Sequence, residues 1–180
     1  TLHHCTVTGA ADDAVILIGA ASPVVALFTA DQGTCIANNG GAGIQVAYSQ
    51  VASLLDGTAG RVQLVKSGLR SASNDTGIKI FSAIDIGITI IKTDICDNNL
   101  GNIVDYNGLV SLNITDSRIA FGNAGDQSGA SNLSFIATGV TGLNQPVNIT
   151  RSTIHDALGA TFADGAVASQ AADNGLQIYT

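Results

Sequence analysis

The sequence predicts an all-β protein of one domain, built as a stack of about six coils with loop insertions, each coil contributing three short strands. Three observations predict it. The composition is drained of helix formers, an apolar and hydroxyl pattern of eight residues recurs along the chain, and a further apolar segment of period two follows most copies.

The 180 residues contain no Glu, Met or Trp and only three Lys (Lys66, Lys79, Lys92), so all fourteen acidic side chains are Asp. Ile, Val, Thr, Asn, Ser and Gly dominate instead, a mixture that fits pleated strands and turns. Apolar residues make up 46% and charged residues 12%, which places the chain among those that pack a core. Its length suits one domain, residues 1–180. A net charge of −7 without any Lys/Arg cluster repels phosphate backbones and anionic lipid surfaces, so neither nucleic acid nor membrane is an expected partner.

Ala14 to Ala30 carries no charge and is the one stretch resembling a membrane span, but Gly19, Ser22 and Pro23 divide it. It reads as two buried strands and a turn. Cys5, Cys35 and Cys96 form neither a disulfide framework nor a zinc pattern; one pair plus a free thiol, or three buried thiols, both fit.

The repeat reads apolar, x, apolar, x, x, Ser/Thr, x, apolar. Its full copies are Val62–Leu69, Ile88–Ile95, Leu112–Ile119 and Val147–Ile154. Weaker copies surround Cys5 and Thr34, the latter with Asp31 in an apolar slot. Anchored on the small polar residue, copies fall at 5, 34, 67, 93, 117 and 152. This residue makes the first bend of each coil, where a hydroxyl satisfies backbone groups that a sharp turn leaves open.

The third segments are Ile44–Val46, Ile78–Ile80, Ile103–Val104, Leu133–Phe135 and Leu176–Ile178, usually introduced by Gly or Asn. One coil cannot bury its apolar face, whereas coils stacked about 4.8 Å apart can. The expected inward columns are Val7, Ile36, Leu69, Ile95, Ile119, Ile154 and Leu2, Leu64, Ile90, Ile114, Ile149. Insertions are expected between Ile36 and Val62, after Ile119 and after Ile154. An antiparallel β-sandwich would also show short strands and turns, but has no reason to repeat these slots in phase.

With this repeat, the sequence resembles the right-handed parallel β-helix proteins, the pectin-lyase-like superfamily that includes polygalacturonases, pectate lyases, phage tailspikes and bacterial surface adhesins. The resemblance covers nearly the whole chain. It implies a solenoid and leaves function open, since one coil serves many activities.

Resemblance to polygalacturonases would place catalytic residues on third-segment strands, where Asp12, Asp13 and Lys79 are the candidates. However, Ala42 stands where that family has His, Lys79 where it has Arg, and Phe81 where it has Lys. Inverting hydrolysis needs two carboxyls across a gap that admits water. Adjacent Asp12 and Asp13 read better as turn residues capping a strand. Resemblance to the lyases implies calcium held by acidic side chains, for which Asp94 and Asp97, with Asn98 and Asn99, are the candidates. The same residues are ordinary turn formers, and that reading is preferred, with no cofactor expected.

Lys66, Lys92 and Arg151 share one slot on successive copies, interrupted by Asp116, and form the candidate binding row for an acidic glycan or a partner. His3, His4 and His155 are scattered, and strand alternation would put His3 and His4 on opposite faces. Sequons at Asn74, Asn113, Asn132 and Asn148 read as chance products of a Thr/Asn-rich chain.

Without Met, Thr1 is not a translation start, so a processed product or a piece of something longer is expected. Neither end shows a cap for the stack, which suggests contacts with flanking parts of a longer chain or head-to-tail copies of itself. The expected function is an extracellular or cell-surface structural or adhesive solenoid contacting glycans or neighbouring chains. Polysaccharide hydrolysis or lyase action is the alternative.

Overall fold

The computed structural model describes residues 1–18, 26–47, 51–67, 76–81, 86–98, 101–105, 110–120, 133–136, 147–155 and 176–179. These residues hold eighteen strands and no helix, and the strands group into six triplets. The first is β1 (Leu2–His3), β2 (Thr6–Thr8) and β3 (Val15–Ile18); the second is β4 (Ala26–Asp31), β5 (Cys35–Asn39) and β6 (Ile44–Ala47). The third comprises β7 (Val51–Asp56), β8 (Val62–Ser67) and β9 (Thr76–Phe81), and the fourth β10 (Ile86–Ile91), β11 (Thr93–Cys96) and β12 (Gly101–Asp105). Then come β13 (Val110–Thr115), β14 (Arg118–Ala120) and β15 (Leu133–Ile136), followed by β16 (Val147–Thr150), β17 (Thr153–His155) and β18 (Leu176–Tyr179).

Each triplet sends one strand into each of three six-stranded sheets. The orders are β1-β4-β7-β10-β13-β16, β2-β5-β8-β11-β14-β17 and β3-β6-β9-β12-β15-β18. Every pairing is parallel. Among the described strands, then, the antiparallel pairing of a sandwich is absent.

In-register stacking follows from the apolar files. Leu2, Ala30, Leu55, Ile90, Ile114 and Ile149 are successive partners in the first sheet. Val7, Ile36, Leu64, Ile95, Ile119 and Ile154 run through the second, and Val15, Ile44, Ile78, Ile103, Leu133 and Leu176 through the third. Ile36, Ile90, Ile95, Ile103, Ile114 and Ile119 are fully buried, each contributing about 1.5–3 kcal/mol over leaving the side chain in water. A one-residue slip would turn a whole strand inside out, so these files also fix the register.

The files correct the expected repeat at two places. The copy read as Val62–Leu69 is out of phase: Val62 pairs with Thr93 and Leu64 with Ile95. Leu64 therefore occupies the place expected of Leu69, which lies outside the described residues, and Leu55 occupies the place expected of Leu64. The cause is the longer link Gly57–Arg61, which separates the first two strands of this triplet and hides their spacing. The stretch between Ile36 and Val62 is accordingly no insertion, since it holds β6 and β7. Nor does Asp31 take an apolar slot: Ala30 points inward, and Gln32 and Gly33 lengthen that bend. The insertions expected after Ile119 and Ile154 fall at 121–132 and 156–175, outside the described residues.

The first bend carries the column Cys5, Thr34, Val62, Thr93, Ser117, Ser152, with Val62 in place of the expected Ser67. Its hydroxyls work as the sequence implied. Thr93 N–H donates to Ser117 Oγ at 3.1 Å and Ser117 N–H to Ser152 Oγ at 3.1 Å. Each hydroxyl donates in turn to the carbonyl two residues earlier, at 2.9, 2.8 and 2.9 Å for Thr93, Ser117 and Ser152. Just before the column, His4, Lys92, Asp116 and Arg151 have φ of 47, 46, 51 and 47°, and Gln32 has 48°. A single left-handed residue redirects the chain from the first sheet to the second, at a cost of about 1–2 kcal/mol for a side chain other than Gly, Asn or Asp.

The strands β3 and β4 from the uncharged stretch 14–30 are not both buried as expected. On β3, at the edge of its sheet, Ile16 is 51% and Ile18 68% exposed. Among the described residues no helix is long and apolar enough to cross a membrane.

Candidate functional site

Charged side chains collect at the bend between the first and second sheets, because the left-handed residue there points its side chain outward. Arg61, at the end of the long link of the third triplet, reaches the next two. Its Nε and Nη2 donate to Asp94 Oδ2 and Oδ1, both at 2.7 Å, and its Nη1 donates to the Asp116 carbonyl at 3.3 Å. Arg151 closes the ladder, with Nε on Asp116 Oδ1 at 2.7 Å and Nη2 on Oδ2 at 3.0 Å. Arginine forks suit such two-oxygen contacts. Four successive triplets are thereby tied along one corner.

The electrostatics follow. The Arg151 hydrogen bond holds the Asp116 carboxyl below the usual carboxylate range, and the pair raises Arg151 in return. Asp94 raises Arg61. Asp56 is lowered by the hydroxyl and N–H of Thr58, the latter donating to its Oδ1 at 2.9 Å. Arg118 lies one row on and donates through Nη2 to Cys96 Sγ at 3.3 Å. Burial pushes the Cys96 thiol up more than Arg118 pulls it down. All three cysteines are free thiols, Cys5 and Cys35 half-buried and Cys96 buried.

The expected row of Lys66, Lys92 and Arg151 does not form as one row. Lys92 and Arg151 are left-handed corner residues with Asp116 between them. Lys66 follows Val65, which pairs with Cys96, and precedes Ser67, which pairs with Asn39, so it lies at the far end of the second sheet. The misplaced Val62 copy is what grouped it with the others. In its place stands a ladder of alternating sign in which Arg151 is already matched by Asp116.

Asp12 and Asp13 sit in the turn before β3. Asp13 Oδ1 accepts from the Ala42 N–H at 2.7 Å, and a Cβ on Gly41 would lie 2.6 Å from Oδ1 of either aspartate. Gly41 is thus the residue whose missing side chain makes room for both carboxylates. Lys79 is on the outward row Ile16, Gln45, Lys79. Two strand spacings and three residues along the strand separate it from Asp13, about 14 Å between backbones. The structure therefore does not bring these three into one compact cluster.

Asp94 and Asp97 lie at opposite ends of the Asp94–Asp97 segment. Both carboxylate oxygens of Asp94 accept from Arg61, and Asp97 is left-handed at the next bend, with φ of 56°. Asn98 beside it is fully buried and donates to the Leu64 carbonyl at 3.3 Å and to Asn102 Oδ1 at 2.7 Å. Among the described residues no group of three or more His, Cys or Asp side chains is arranged to hold a metal ion.

Sequence reasoning missed Arg61 because the long link obscured its place, and missed the contacts of His3 with Asp31 and of His4 with the Gln32 carbonyl because strict alternation was carried through the bend. The recurring single residue before each hydroxyl was the available signal. Comparison with protein-family profiles, curated proteins and solved structures finds no significant match for this chain.

Proposed function

We propose that the three parallel sheets close into a right-handed parallel β-helix, and that the protein is an extracellular structural or adhesive solenoid. Right-handed crossover is the rule where a strand returns to pair in parallel within its own sheet. The resemblance in repeat pattern and the strict rotation of strands through three sheets both support the closure.

The observation that carries the functional reading is the strict rotation of the eighteen described strands through three parallel sheets, which makes a repetitive scaffold with charges paired along its outer face. The strands β1, β2 and β3 form one edge of all three sheets, and β16, β17 and β18 form the other. Among the described residues these end strands have sheet partners on one side, and such a strand is a template for further pairing. The core columns also run open there: Ile149 is 38% exposed and Leu2, Val7 and Ile154 are half-buried, whereas their partners further in are buried. Either a flanking part of a longer chain or a second copy fits such an edge, continuing Ile149 onto Leu2 and Ile154 onto Val7. Paired charges and rows of Thr and Asn on the outer faces suit contact with glycans or neighbouring chains. The separation of Asp12 and Asp13 from Lys79 favours this role over polysaccharide cleavage.

Sedimentation velocity and negative-stain electron microscopy test it. Concentration-dependent growth into rods of constant width is expected of this chain. A discrete monomer at every concentration would contradict the stacking of copies.

A further inference from the structure

Buried amides line the inside of the bend between the second and third sheets. Asn39, in the second triplet, and Asn98, in the fourth, are both fully buried. Each follows a left-handed residue, Asn38 or Asp97, and each sends its Nδ2 back to a carbonyl of the preceding triplet. Asn39 donates to Val7 at 3.4 Å and Asn98 to Leu64 at 3.3 Å. Asn39 Oδ1 accepts from the Ala10 N–H at 3.1 Å, and Asn98 Nδ2 also donates to Asn102 Oδ1 at 2.7 Å.

Between these two, the third triplet departs from the pattern. Ser67 pairs with Asn39, and the pairing of Val65 with Cys96 puts the same serine level with Asn98. A serine side chain is shorter than asparagine and carries no amide. Further along this triplet stands Thr76, level with Ala42 on one side and paired with Gly101 on the other, so a larger and polar side chain takes the place of a methyl group or a hydrogen.

Thr76 is fully buried, and its carbonyl accepts from the Gly43 N–H at 3.0 Å. Its Oγ1 is the one buried side-chain oxygen or nitrogen among the described residues with no hydrogen-bond partner in the protein. Polar groups converge beside it: a Cβ on the next residue, Gly77, would lie 2.6 Å from the Asn102 carbonyl oxygen and 2.8 Å from Asn98 Nδ2. A buried hydroxyl without a partner forfeits its hydration, and folded proteins satisfy such groups with ordered water where no protein group reaches them. Water enters a buried site that is polar and has room, and Ser67 in place of asparagine and Gly101 beside Thr76 both leave room here.

We infer that a single water molecule is bound inside this bend on Thr76 Oγ1, standing in at the third triplet for the amide that Asn39 and Asn98 supply in the second and fourth. Thr76 donates its hydroxyl hydrogen to the water, and the water donates to carbonyl oxygens of the bend, the kind of acceptor the two asparagines use.

A high-resolution crystal structure of the whole chain, with urea unfolding of variants, tests the site. One ordered water is expected about 2.8 Å from Thr76 Oγ1. Ser67→Asn supplies an amide and is expected to displace it. Thr76→Val keeps the shape of the side chain but removes its hydroxyl, and is expected to lower the unfolding midpoint because the water loses its anchor; a hydroxyl buried without water would gain from the same change. Thr76→Ser keeps the hydroxyl and should keep the water. Circular dichroism confirms that each variant folds. A midpoint unchanged or raised in Thr76→Val would overturn the inference. So would a direct bond from Thr76 Oγ1 to a protein group in the crystal, or a water that stays in Ser67→Asn.

Discussion

Truncating isoleucines at three places in the same stack separates the effect of the column from the effect of residue type. Ile95 is fully buried with Leu64 on one side and Ile119 on the other, so Ile95→Ala leaves a hole that neighbours on two strands cannot close. The expected loss is about 3–4 kcal/mol, within the usual range for such truncations. Ile149 belongs to the first-sheet column but is 38% exposed and, among the described residues, is paired on the Ile114 side alone, so Ile149→Ala should cost about 1–2 kcal/mol. Ile16 points outward and is 51% exposed, and Ile16→Ala should cost less than about 1 kcal/mol. Urea unfolding followed by far-UV circular dichroism gives the three shifts in midpoint at a common slope. Equal shifts for Ile95→Ala and Ile16→Ala would refute the assignment of inward and outward rows.

The other expectations concern the bend and its supports. A double-mutant cycle on Arg61 and Asp94 should give a coupling of about 1 kcal/mol or less that shrinks in high salt, since both side chains are partly exposed; a coupling insensitive to salt would argue against the ion pair. The folded-state pKa values of Asp116 and Asp56 lie below their unfolded values, so their contribution to stability is complete above about pH 4 and is lost as pH falls through the folded values. Carboxyl ¹³C titration should find Asp116 low in the parent and moved up in Arg151→Gln. Asn98→Leu removes the buried donor to the Leu64 carbonyl and to Asn102, and a loss of about 1–3 kcal/mol in chemical unfolding is expected. Gly57→Ala drives a methyl into the Lys92 carbonyl, and should lower the unfolding midpoint more than the same change at Gly33, where nothing is close and the left-handed φ of 76° alone costs about 1–2 kcal/mol; equal effects would contradict the close approach of Gly57 to Lys92.

Much of the stack was legible in the sequence. The columns through Ile95, Ile119 and Ile154 and through Ile90, Ile114 and Ile149 were visible, because two-residue bends keep the apolar and hydroxyl slots in phase. The third triplet was misread for one physical reason: Gly57–Arg61 lengthens its bend, so the in-phase match slid onto Val62–Leu69. At Asp31 the same thing happened on a smaller scale, when one extra bend residue moved Asp31 into a slot that Ala30 fills. The candidate residues were harder to place, because side-chain direction inverts at a left-handed residue and no strand period reports that. His4 and Lys66 were both misplaced by carrying a regular pattern through a bend or a shifted copy. Arg61 could be found only once the register of β8 against β11 was known.

In-register parallel stacking is the claim on which the whole account rests, and pairwise cysteine cross-linking tests it most directly. With Cys5, Cys35 and Cys96 replaced by Ala, Arg118→Cys and Thr153→Cys place thiols on directly paired residues of β14 and β17, about 4.8 Å apart. Mild oxidation should join them rapidly. Asp94→Cys with Thr153→Cys spans two strand spacings, about 9.6 Å, too far for a disulfide without backbone movement. Rapid closure of the first pair and none of the second is the predicted result. Closure of the second pair, or failure of the first in a folded protein, would contradict the structure.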